Sequence, residues 1–141
     1  MPLVPDAALA LLAETVVTTA VTGQASAARL LPAGTKALAL QVNFTYGSGG
    51  TSAKLYVQTS LDKGATWIDI ACVALTTASA RRASVVHLTT ALAAAITPAD
   101  GALTDNTILN GILGDRVRTK LTTVGTYAGN TRIQVDAVAK V

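Results

Sequence analysis

The sequence predicts an all-β fold, an antiparallel β-sandwich of jelly-roll type, and three observations carry that expectation. Short runs of β-branched and aliphatic residues recur along most of the chain, with Gly-, Asn- and Asp-containing turns between them. One run, residues 36–46, alternates strictly, with Leu38, Leu40, Val42, Phe44 and Tyr46 on one face and Ala39, Gln41, Asn43 and Thr45 on the other. Helical periodicity is weak everywhere except near the start of the chain. Seven or eight short strands with this spacing point to a sandwich or barrel.

Taken in order, residues 1–14 form a short N-terminal arm or helix, and residues 15–141 form the single sandwich domain. Asp6 stands where a helix N-cap would stand, ahead of the Ala- and Leu-rich run 7–14. Residues 15–22 are rich in Thr and Val and read as a strand ended by Gly23. Strands follow over 36–46, 54–60, 66–75 and 85–89, the first two separated by Gly47-Ser48-Gly49-Gly50. Residues 90–114 read as a long connection across one end of the sandwich, in which the run 91–96 suits a helical turn. The last two strands, 116–124 and 130–139, are expected to pair through the glycine-flanked loop 125–129.

Composition narrows the functional classes. Of the 141 residues half are hydrophobic, only 13% are charged and only 4% are aromatic. So few charges suit a chain that hides surface against copies of itself or a partner. The net charge of +3 is spread along the sequence, Arg81-Arg82 being the tightest basic run, and nucleic-acid binding is not expected. No apolar run approaches the ~20 residues that span a bilayer. The apolar segment 9–12 follows an acidic residue and no Lys or Arg, so a secretion signal is not expected.

No catalytic or metal chemistry is legible, and neither an enzyme nor a cofactor is expected. Cys72 is the only cysteine and lies in an apolar strand run, where it reads as a small buried hydrophobe. His87 is the only histidine. Asp100 and Asp105, with Asn106, have loop oxygens that suit Ca²⁺, but their spacing matches no EF-hand and fits turn chemistry better. Asp62 and Asp69 make a conceivable glycosidase pair. Asp62 already has a turn to build, however, and Asp69 lies on a strand between Ile68 and Ile70.

The sharpest motif is Ser60-Leu61-Asp62-Lys63-Gly64-Ala65-Thr66-Trp67. Asp62 can accept backbone N–H groups, Gly64 supplies a positive φ, and Trp67 opens the returning strand, so these three are the structural turn residues. The motif resembles the Asp-box of sialidase-type propellers, but it spans eight residues and the chain lacks the repeats of about 40–50 residues that blades require. A wider resemblance runs from Leu40-Gln41-Val42-Asn43 through 55–62, 64–70, Asp115-Arg116-Val117-Arg118 and Val124-Gly125-Thr126. Over roughly residues 36–141 the chain looks like the small β-sandwich virion proteins of tailed bacteriophages. That resemblance implies a capsid-decoration (cement) protein on the virion surface, a homotrimer bound to the major capsid protein of the phage head. A carbohydrate-binding module and a tail- or fibre-associated role are the alternatives.

Two groups of residues are candidates for partner binding. Arg116, Arg118 and Lys120 share a strand face by their i, i+2, i+4 spacing, and Arg132 joins them if the final strands pair. Leu3, Val4 and Leu9 are the apolar anchors of the N-terminal arm.

Overall fold

A computed structural model describes residues 7–141. Among these residues all regular structure is β: β1 (Ala7–Val16), β2 (Gln24–Ala25), β3 (Arg29–Leu30), β4 (Ala37–Thr45), β5 (Ser48–Gly49), β6 (Ser52–Ser60), β7 (Ile68–Leu75), β8 (Ala80–His87), β9 (Arg116–Val124), β10 (Tyr127–Ala128) and β11 (Arg132–Lys140). Sheet I has the order β1-β11-β4-β8, and sheet II has β9-β6-β7 with β2 and β3 both pairing to the outer edge of β9. Pairing within both sheets is antiparallel, and the sheets pack face to face as a β-sandwich. No helix among the described residues is long and apolar enough to cross a membrane.

The core follows from alternation. Leu38, Leu40, Val42 and Phe44 of β4 are buried, as are Ile133, Val135, Ala137 and Ala139 of β11. Leu55 and Val57 of β6 and Val117 and Leu121 of β9 meet them from sheet II. Tyr127 plugs one end, edge-on to Phe44 at 5.6 Å and to Tyr46 at 6.1 Å, and donates its hydroxyl to the carbonyl of Thr76 at 2.8 Å.

Several expectations change. The run 7–14 is neither helix nor arm but most of β1, which pairs with β11 from Ala7↔Ala139 to Val16↔Arg132. An isolated helix of eight residues is marginal in water, whereas the sheet buries Leu11 and packs Leu9 and Leu12 against the core. Register shifts between Ala10 and Leu12 and between Leu12 and Thr15 break the alternation that would have marked this strand. Residues 17–22 are a loop, so the strand expected over 15–22 ends early. Leu9 therefore faces the core and is not a free anchor. Leu3 and Val4 lie outside the described residues.

The final two strands do not form a hairpin. β9 belongs to sheet II, β11 to sheet I, and residues 125–131 cross between them, with β10 pairing to β5 on the way. β8 begins at Ala80, five residues before the expected strand. Residues 91–96 contain no helical turn. The connection 88–115 also runs along the side of the sandwich, against the edge of β7. Asp69 N–H donates to Ala99, Cys72 N–H donates to Thr107, and Leu109 N–H donates to Ile70, at 2.8–3.0 Å. A bare edge strand invites pairing with another chain, and this connection closes that edge.

Candidate functional site

The chemistry-bearing side chains gather on the outer face of sheet II. Val117, Thr119 and Leu121 of β9 point into the core, which puts Arg116, Arg118 and Lys120 together on the solvent side. Strand register then sets a polar row across the sheet, because Gln58 of β6 lies opposite both Arg118 of β9 and Asp69 of β7.

Gln58, fully buried, is the hub of that row. Its Oε1 accepts from Arg118 Nε at 2.8 Å, and its Nε2 donates to Asp69 Oδ1 at 2.8 Å and to Asp100 Oδ1 at 2.6 Å. Asp69 is also fully buried and further accepts from the backbone N–H groups of Gly101, Ala102 and Leu103 at 2.9–3.0 Å. A buried polar group without partners is costly, and Asp69 has four. It stitches the connection 99–103 onto the sheet. Tyr56 and Cys72, paired on this same outer face, are buried as well. Burial pushes the Cys72 thiol and the Tyr56 hydroxyl above their ordinary values.

The three basic residues have different surroundings. Lys120 Nζ holds Asp100 Oδ1 at 2.8 Å, and that contact, with the Gln58 hydrogen bond, draws the Asp100 carboxyl below its usual range. Arg116 grips the adjacent Asp115 through two bonds of 3.0 and 3.2 Å and lowers its carboxyl likewise. Arg118 lies over the Trp67 ring, 4.3 Å from its centroid, with only its Nε engaged by a side chain. Arg132 is not part of this face. It belongs to sheet I, where its Nη1 pairs with Glu14 at 2.8 Å, because the chain crosses between sheets before β11.

The turn motif stands beside this face. β6 and β7 pair as an antiparallel hairpin. Asp62 accepts from Ser60 Oγ at 2.9 Å, Thr66 N at 2.8 Å and Thr66 Oγ1 at 2.5 Å. These bonds, the Thr66 hydroxyl first, bring its carboxyl down to about 2. Gly64 has φ +90°, and its N–H donates to Ser60 Oγ at 2.8 Å. Asp62 and Asp69 thus each have a structural set of partners. Asp105 pairs with Lys54 at 3.0 Å, Asn106 Oδ1 accepts from Ala74 N, and Asp100 serves Lys120. Asp100, Asp105 and Asn106 thus each serve a different partner. His87 is exposed.

Away from this face, a cavity of about 280 Å³ opens between the end of β1 and the β2 edge, lined mainly by Val, Leu, Ile and Thr side chains. No titratable group lines it.

The co-facial basic residues were legible from spacing, but Gln58, Asp69 and Asp100 as one network were not. Residues 58 and 100 meet only because the long connection folds back, and no local signal encodes that. In comparisons with known proteins, no family model matches the chain, and no curated protein or solved structure matches it either.

Proposed function

We propose that this chain is a structural, non-enzymatic virion protein that self-associates and decorates a phage head by binding its major capsid protein. The observation that carries the reading is the outer face of sheet I. Register aligns Ala8, Val138, Ala39 and Val85 in one row across all four strands, and Ala10, Asp136, Gln41 and Ala83 in the next. No segment of the described chain is paired across this face, whereas the 88–115 connection covers part of the opposite one. These rows are mostly Ala and Val with Gln41 and the carboxylate of Asp136, and Arg81 reaches in to hold Gln41 Oε1 at 2.7–3.0 Å; the middle of the face is therefore small and poor in charge, as interface cores are.

The strand orders β1-β11-β4-β8 and β2/β3-β9-β6-β7 support the jelly-roll version of the sandwich. The head location, the trimer and the capsid partner rest on the resemblance of residues 36–141. The carbohydrate alternative lacks its usual platform. Trp67 is covered by Arg118, Tyr56 and Tyr127 are buried, Phe44 is in the core, and Tyr46 packs edge-on to Tyr127.

Mixing the purified protein with decoration-free capsids over a range of salt concentrations tests the reading. Co-sedimentation at a fixed stoichiometry is expected. Failure to bind at every salt concentration removes the decoration role.

A further inference from the structure

We propose that Arg118 is a preorganised receptor for a single carboxylate, that of an Asp or Glu side chain on a partner protein. The proposal concerns the outer face of sheet II and does not depend on the virion reading or on self-association through sheet I.

Preorganisation is the first part of the argument. An exposed arginine loses side-chain entropy when it binds, which weakens most surface ion pairs. Arg118 is already held in place. Trp67 supports the guanidinium from one side at 4.3 Å, and Gln58 fixes Nε at 2.8 Å. Gln58 is held in turn by Asp69 and Asp100, and Asp69 is locked by three backbone N–H groups. Burial lowers the Arg118 pKa, in keeping with a partly dehydrated cation.

Availability is the second part. Among the described residues, Nη1 and Nη2 of Arg118 have no hydrogen-bond partner, and neither is a buried unsatisfied atom, so both reach solvent. With Nε engaged, the end of the guanidinium offers two parallel donors, the fork that matches the two oxygens of a carboxylate. Its basic neighbours are engaged, Arg116 with Asp115 and Lys120 with Asp100.

Those same carboxylates decide the class of ligand. Asp100 shares Gln58 with Arg118, and Asp115 is held by the neighbouring Arg116, so fixed negative charge on this face disfavours a polyanion such as a nucleic-acid backbone. One compact carboxylate bound end-on to Arg118 avoids them.

Trp67, the only tryptophan in the chain, lies under the site, so its fluorescence reports on Arg118 directly. The intact protein is titrated at constant ionic strength with sodium acetate and with an N-acetylated, C-amidated Gly-Glu-Gly peptide, which carries one carboxylate. Inorganic phosphate, sodium chloride and a 12-base-pair DNA duplex are run as separate arms. A saturable change in Trp67 emission is expected with acetate and the peptide but not with chloride. Arg118→Lys keeps the charge and loses the fork, and it should bind the peptide at least about tenfold more weakly. Lys120→Gln should bind within about threefold of wild type, because Lys120 is already paired. As a measurement on the unaltered protein, the Arg118 Nε–H resonance should shift on acetate titration. An absent Nε–H shift, a response equal to that of chloride, or full binding by a folded Arg118→Lys protein overturns the proposal. So does tighter binding of phosphate or duplex than of the peptide.

Discussion

Two aspartates show how one side-chain type acquires two tasks from its surroundings. Asp62 is exposed and closes the β6–β7 turn, where hydrogen bonds from Thr66 and Ser60 lower its carboxyl from 3.8 to about 2. The folded value lies below the unfolded one, so the ionised form favours the fold. That contribution is complete above the unfolded value and is lost as pH falls through the folded one, a window from 3.8 down to about 2. Asp62→Ala should therefore lower the urea midpoint at pH 7, and the gap from wild type should close as pH falls across that window. A gap unchanged at pH 2 would separate the turn from the ionisation of Asp62. Asp69 is the buried counterpart, serving Gln58 and three backbone donors at once. In Asp69→Asn one acceptor oxygen becomes an amide that faces N–H groups. Orphaned buried donors cost about 1–3 kcal/mol each, so the variant should lose on the order of 2–4 kcal/mol in urea unfolding. Amide exchange at Gly101, Ala102 and Leu103 should accelerate with it.

At the scale of elements, β1 is the main correction and gives a clear test. Deleting residues 1–13 removes the neighbour of β11 from Ala139 to Val135 and takes away buried Leu11. Burying one Leu side chain is worth about 1.5–3 kcal/mol, and Leu9 and Leu12 add to it. The truncated protein should lose cooperative unfolding or show a steep drop in its urea midpoint, whereas a detachable arm would leave that midpoint unchanged. Gly64→Val places a β-branched residue at φ +90° and should cost about 1–3 kcal/mol. The elements divide by how openly their pattern is written. β4, β6 and the last strand alternate or run apolar without interruption, so they could be read from residues alone. β1 could not, because Ala and Leu favour a helix and two register shifts hide its period. The β9–β11 link misled for another reason, since a glycine-flanked loop serves a hairpin or a crossing between sheets equally well. Both strands show the same alternation, and only the sheets that receive them decide. The long-range polar row shares that limit: i, i+2 spacing marked Arg116, Arg118 and Lys120, but nothing local joins Gln58 to Asp100.

The whole molecule is asymmetric in how it treats its surfaces. Sheet II has a closed β7 edge and an outer face partly covered by the 88–115 connection, which leaves Tyr56 and Cys72 buried. Among the described residues, sheet I has no such cover over its rows Ala8, Val138, Ala39, Val85 and Ala10, Asp136, Gln41, Ala83, and its end strands β1 and β8 each pair with one strand only. The proposed self-association uses sheet I, because among the described residues the 88–115 connection covers part of the opposite face and no segment covers this one. Wild-type protein should therefore sediment as an oligomer at micromolar concentration, with a trimer as the expected number. Ala39 is half-buried on the solvent side of β4, so Ala39→Glu adds a charge there without entering the core. A charge buried without a partner at an interface costs several kcal/mol. Ala39→Glu should accordingly raise the dissociation constant by at least about 100-fold while leaving the urea midpoint of the monomer close to wild type. Thr122→Glu, on the outer face of sheet II, serves as the control and should leave association unchanged. A wild-type monomer even at about 100 µM, which corresponds to an association weaker than about 5–6 kcal/mol, would rule out sheet I as a copy-to-copy contact. An oligomer insensitive to Ala39→Glu would move that contact to another surface.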